Sequence, residues 1–239
     1  MSYVMTAREL VDKCVDAAKN YKTLYVMGCF GAPMTAANKK RYISNGAASG
    51  YNARSDRAAM INAASADTFG FDCVCLIKGI LWGWKGDLNA TYGGARYAAN
   101  GVPDTNADGM ISLCKGVSTD FSKIEVGEAL WCSGHIGVYI GGGLAVECTP
   151  KWDNRVQITA VGNLGAKAGY NTRTWVRHGK LPWVDYAVDT SSVTAGAVTP
   201  SPQGEGFGGE KTYTAAQVEE IVAAALGEAL EGVKKRLNN

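Results

Sequence analysis

The chain of 239 residues holds seven cysteines and only two histidines, His135 and His178, so thiol–imidazole chemistry has few possible pairings. The best-placed thiol is Cys73, in the run Gly70-Phe71-Asp72-Cys73-Val74-Cys75-Leu76, where an apolar helix is expected to begin. A thiol in the first turn of a helix faces backbone N–H groups, which favour its thiolate. His135 stands near the start of Gly134-His135-Ile136-Gly137-Val138-Tyr139-Ile140-Gly141, and a glycine turn, Gly141-Gly142-Gly143, returns the chain through Leu144-Ala145-Val146-Glu147. Two strands joined in this way make Glu147 a neighbour of His135. Its carboxylate can then hold one imidazole nitrogen and leave the other for the thiol. Thiol, imidazole and an orienting polar group are the parts that nucleophilic acyl transfer requires. Cys75 lies about 200° around the helix from Cys73 and is expected in the core. A buried structural role is the commoner fate of any cysteine, and the residues alone leave that alternative open.

The elements that must position these groups are readable in outline. Thr6 with Glu9 forms a capping-box signature ahead of apolar residues at helical spacing, predicting a helix over 6–20. An apolar run over 24–33 ends in Gly and Pro, and the polar stretch 35–57 reads as loop or short helix. The segment 71–84 is too long for most strands and reads as a helix beginning near Cys73. From residue 128, short runs rich in Val, Ile, Tyr and Trp alternate with glycine turns, as in an antiparallel meander, with a last strand expected in Thr172-Arg173-Thr174-Trp175-Val176-Arg177-His178-Gly179. Helices first and strands second imply an α+β domain over 1–187. Residues 188–211 read as a flexible Gly/Ser/Thr/Pro linker. Residues 212–239 read as an amphipathic helix that needs a partner, with self-association the first expectation.

The two blocks around Cys73 and His135 resemble the signatures of the NlpC-type cell-wall cysteine peptidases, a papain-like family. Gly70–Leu76 resembles the nucleophile block, with Val74 and Cys75 where Ser and Gly usually stand, and Gly134–Gly141 closely resembles the histidine block. Glu147 falls where the family carries its third, variable polar residue. Tyr25-Val26-Met27-Gly28-Cys29 is similar to a segment lining the family's site, although a long insert follows it here. The resemblance covers most of residues 21–160. It implies a papain-like NlpC-type fold with Cys73 as nucleophile, His135 as general base and then acid, and Glu147 orienting the imidazole. It also implies the Cys73 N–H as an oxyanion donor, Tyr25, Asp72 and Gly134 on the substrate side, and peptidoglycan stem peptides as substrate, with no metal or other cofactor. The linker-and-appendage layout resembles a phage endolysin, a bacteriolytic hydrolase made in the host cytoplasm without a signal peptide and reaching the wall after holin-type release. Three alternatives stay open: an N-acetylmuramoyl-L-alanine amidase on the same scaffold, a non-catalytic wall-binding or phage structural protein, and a different Cys–His acyl-transfer enzyme of transglutaminase or amidotransferase type.

Composition narrows the remaining classes. A net charge of +2 gives no bulk signal for nucleic acid, and no stretch approaches the roughly 20 apolar residues of a membrane span. Charge is modestly basic before residue 188 and acidic after it. Asp104-Thr105-Asn106-Ala107-Asp108-Gly109 matches the opening of a calcium loop, but its twelfth position is Lys115, where a carboxylate is needed. A polar turn is the better reading. No Cys-x-x-Cys pair suggests zinc. His178 reads as a surface or capping residue, and Trp82, Trp84, Trp131, Trp152, Trp175 and Trp183 as core packing rather than a sugar platform.

Overall fold

In the computed structural model, Thr6 and Glu9 close their capping box: the Thr6 side chain accepts from the Glu9 N–H, and the Glu9 carboxylate accepts from the Thr6 N–H at 2.7 Å. Helix α1 (Ala7–Lys19) follows and buries Leu10, Val11, Cys14 and Ala18. The structure describes residues 3–44 and 49–187. The expected linker and terminal helix lie outside the described residues.

Strand β1 (Met5–Thr6) precedes α1, and β2 (Thr23–Tyr25) and β3 (Phe30–Pro33) divide the apolar run 24–33. The polar stretch after them is more helical than its composition suggested. It holds α2 (Ala36–Ser44), α3 (Ser49–Asn52) and α4 (Ser55–Ala63). Strand β4 (Phe69–Phe71) then lies between β2 and β3, parallel to β2, with Tyr25 opposite Phe71. This small sheet brings Tyr25 beside the start of α5 (Cys73–Leu81), a helix buried along its whole length. A methyl group at Gly79 would come within 2.8 Å of the Phe30 carbonyl oxygen, so only glycine lets α5 lie this close to β3.

The second half is strand-rich. After α6 (Ala107–Leu113) come β5 (Lys115–Ser118), β6 (Ala129–Cys132), β7 (His135–Gly141), β8 (Leu144–Thr149) and β9 (Arg155–Val161), then β10 (Thr172–Arg173), β11 (Arg177–Lys180) and β12 (Val184–Asp185). The expected meander is present as β6–β9, within a seven-stranded sheet of order β10-β9-β8-β7-β6-β11-β5. β12 pairs with β1 and returns the chain to its start. One face of the meander carries Ile136, Val138, Val146, Cys148 and Val156 into the same core as α1 and α5. The opposite face holds a second core of Phe121, Leu130, Tyr139, Ala145, Val161 and Trp175.

The last strand expected in 172–179 is in fact two. β10 sits at one edge of the sheet and β11 lies beyond β6, five positions away. Four residue steps from Arg173 to Val176 and Arg177 span at most about 14 Å, whereas five flat strand spacings measure about 24 Å. The sheet must therefore curl, and residues 174–176 cross its concave face. The Trp175 N–H donates to Asn163 Oδ1 at 2.8 Å and the Val176 N–H to the Trp131 carbonyl at 2.8 Å, anchoring the crossing at both ends.

The helical insert buttresses the chain around Tyr25. Asn52 is fully buried, and its amide donates to the carbonyls of Met27 at 2.9 Å and Tyr42 at 3.0 Å while accepting from the Met27 N–H at 3.0 Å. Arg57 donates to the Tyr25 carbonyl and to Asn154 Oδ1. Asn52→Ala strands three backbone groups and is expected to cost about 2–4 kcal/mol of stability. Arg8→Ala, which loses only an exposed i,i+4 pair with Asp12, is expected to cost less than about 0.5 kcal/mol. Denaturant unfolding of both variants checks the contrast, and equal midpoints would contradict it.

Candidate active site

Asp72 decides where Cys73 stands. Its side chain accepts from the Cys75 N–H at 2.7 Å as the cap of α5, and its other oxygen accepts from the Gly28 N–H at 2.7 Å. One carboxylate thus starts the helix and ties it to the turn after Tyr25. Both oxygens are engaged by backbone and the residue is buried, so Asp72 fixes the start of α5 against the turn at Gly28.

Cys73 opens α5 with its sulfur against β7. Sγ lies 4.0 Å from the carbonyl oxygen of Gly134 and faces the N–H of Ile136, so it touches the peptide groups on either side of His135. The N–H groups of Cys73 and Val74 also face the sulfur. They do not make it a resting thiolate. Burial pushes the Cys73 thiol up to about 12, the Asp72 carboxylate adds to the shift, and the N–H groups offset only part of it. The expected thiolate therefore gives way to a neutral thiol, because desolvation outweighs the helix end.

His135 and Glu147 share a sheet face. Gly137 pairs with Glu147 across β7 and β8, which makes His135 and Glu147 diagonal neighbours. Nε2 of His135 lies 2.6 Å from Glu147 Oε2. Glu147 is fully buried, and burial alone would raise its pKa. The hydrogen bond and charge of His135, the Arg173 guanidinium and the Thr159 hydroxyl more than offset this and hold it below the usual carboxylate value. An ionised carboxylate only accepts, so Nε2 of His135 donates the hydrogen bond and Nδ1 is the nitrogen left clear of Glu147. The imidazole stacks on Trp175, with centroids 5.6 Å apart and planes 13° from parallel. A methyl group at Gly137 would meet the Trp175 ring at 3.0 Å, so glycine makes room for that stack.

Other residues fall into place around these three. Gly134 is exposed, with a left-handed φ of 69°. Its N–H donates at 2.9 Å to Asp108 Oδ1, which also accepts from Trp131 Nε1 at 2.8 Å. The calcium-like segment is a brace instead: Asp104 pairs with Lys78 and Tyr97, Asn106 caps α6, and Asp108 holds the turn before His135. Tyr25 is buried beside Asp72 and Cys73, and burial followed by those neighbours drives its hydroxyl well above the usual value. Cys75 is buried in the core, as expected.

His178 is a correction: it is not a surface or capping residue. It is buried in β11, Nδ1 against the Glu128 carboxylate and Nε2 3.1 Å from the Asp120 carbonyl. Both nitrogens are thus occupied in a structural pair. Sequence reasoning missed Arg173, Thr159 and Asp108. Arg173 and Thr159 sit beyond the β7–β8 hairpin in sequence and reach Glu147 only through sheet pairing and the curl.

Among the described residues, no group of three or more His, Cys, Asp or Glu side chains is arranged to hold a metal ion. No helix among them is long and apolar enough to cross a membrane. The arrangement is that of an imidazole held by a buried carboxylate, with a protonated thiol against the backbone that flanks it.

The raised thiol has a measurable consequence. Cys114 and Cys132 are the more accessible thiols, so both are replaced by Ser before iodoacetamide treatment. Peptide mass spectrometry is then expected to show Cys73 alkylation rising with pH, without a plateau, between about pH 6 and 9. A plateau near neutrality would mean a resting thiolate. Compared with known proteins, the chain matches no family model and no curated protein.

Proposed function

We propose that this chain is a peptidoglycan hydrolase, acting on the bacterial wall in the manner of a phage endolysin. It would cleave an amide bond of the stem peptide through Cys73, His135 and Glu147, on a papain-like NlpC-type fold. The observation that carries the reading is the Cys73 sulfur lying against the peptide groups that flank His135, with Nε2 of that imidazole held by a buried carboxylate. The α+β arrangement, with the nucleophile at the start of a buried helix packed on an antiparallel meander, supports it further.

On this reading, Nδ1 of His135 takes the thiol proton as the sulfur attacks the amide carbonyl. The carbonyl electron pair moves onto oxygen, where the N–H of Cys73 stabilises it. Collapse breaks the C–N bond, and the amine leaves with the proton from the imidazolium. Water, deprotonated in turn by His135, attacks the thioester, releases the acid and restores the thiol. Because the resting thiol is neutral, proton transfer accompanies attack rather than preceding it.

Purified protein is expected to clear bacterial walls in a turbidity assay. Cys73→Ala should lose at least about 10³-fold of the rate and Glu147→Gln about 10²–10⁴-fold, while Cys75→Ala keeps most of it. Mass spectrometry of the fragments should show new termini within the stem peptide. Fragments released at the sugar–peptide junction would make the enzyme an amidase, and clearing that survives Cys73→Ala would overturn the mechanism.

A further inference from the structure

Glu147 is shared by an imidazole and a guanidinium. Its Oε2 lies 2.6 Å from His135 Nε2 and 2.7 Å from Arg173 Nε, and its Oε1 lies 3.0 Å from the same Arg173 nitrogen and 2.7 Å from the Thr159 hydroxyl. Arg173 is held firmly where it does this. Its guanidinium carbon stands 5.1 Å from the centroid of the Trp152 ring and 5.5 Å from that of Trp175, and Nη2 reaches Thr149 Oγ1 at 3.3 Å. Trp152 keeps its indole there from a backbone φ of 61°, a left-handed conformation that a bulky residue rarely holds. Trp175 in turn stacks on the His135 ring. Indole, guanidinium, indole and imidazole thus form one train of contacts ending at the base.

We propose that Arg173 is a positioning residue that, by sharing Glu147 with His135, keeps the imidazole in its proton-accepting form. The inference rests on the hydrolase reading only for its kinetic consequence. A buried carboxylate paired with one imidazole draws a proton onto the pair. A guanidinium on the same oxygen takes up part of that charge and repels a second cation, so it opposes protonation of the imidazole. The other titratable groups around His135 are Cys73 from α5, Cys132 from β6 and Asp108 from α6, the last holding the turn before it. None of them supplies a positive charge. Lysine does not replace this geometry, because a single ammonium cannot reach Glu147 and Thr149 from separate nitrogens while standing near both indoles.

The test compares the full chain with Arg173→Met, Arg173→Gln and Arg173→Lys. The acidic limb of kcat/KM against pH should move up by about one unit or more in the Met and Gln variants. It should return close to its original position in the Lys variant, at a reduced rate. The His135 titration, followed by NMR in a Cys73→Ala background, should move with the limb. A uniform loss of rate with an unmoved limb and an unmoved His135 titration would overturn the proposal and leave Arg173 a structural residue. If Arg173→Met fails to fold, the Gln and Lys pair decides the same comparison. If the unmodified chain clears no walls, the hydrolase reading falls, and the His135 titration alone still decides the role of Arg173.

Discussion

A carboxylate with no access to solvent has to be surrounded by donors, and Glu147 is such a group. Its partners come from three further strands: His135 from β7, Thr159 from β9 and Arg173 from β10. Satisfying that one charge fixes the register of the meander, since a one-residue slip of β8 would turn Glu147 into the opposite, apolar face. It also fixes the closure of the sheet, because Arg173 reaches Glu147 only if β10 curls toward the strands beside it. The imidazole inherits its orientation from this arrangement rather than creating it.

The Cys73 thiol is placed by an independent set of contacts. Asp72 ends β4 and begins α5, and its second oxygen fastens the turn at Gly28. The parallel pairing of β2 with β4 sets Tyr25 beside that junction, and the helical insert holds Tyr25 and Met27 from behind through Arg57 and Asn52. The site is therefore a seam between two rigid bodies of contacts, a helix with its small sheet and a curled larger sheet. The Cys73 sulfur meets β7 at that seam.

Charge at the seam is set by burial and by the donors around it. Desolvation keeps the thiol protonated, while the ionised Glu147 holds the His135 imidazole. Helix-end N–H groups, which in a more open site would stabilise a thiolate, remain beside the sulfur and offset only part of that burial. A neutral thiol also restrains adventitious oxidation, which follows thiolate character and exposure.

Much of this was legible along the chain because the relevant interactions are local. The Thr6–Glu9 box, the start of a helix at Cys73 and the glycine turn joining His135 to Glu147 each depend on residues within about a dozen positions of one another. Periodicity and capping report such contacts directly. His178 was misread because its strand lies between β6 and β5, a placement that no pattern in its own segment encodes. The helices of the insert, the second oxygen of Asp72 and the brace at Asp108 were hidden for the same reason: their partners lie 25 to 44 residues away. The sequence by itself determined the candidate groups, the helix that carries the thiol and the hairpin that pairs imidazole with carboxylate. Only the tertiary structure decided that the thiol rests protonated and that Arg173 and Trp175 complete the site. Desolvation and sheet curl are sums over the whole packed chain, and no short segment contains them.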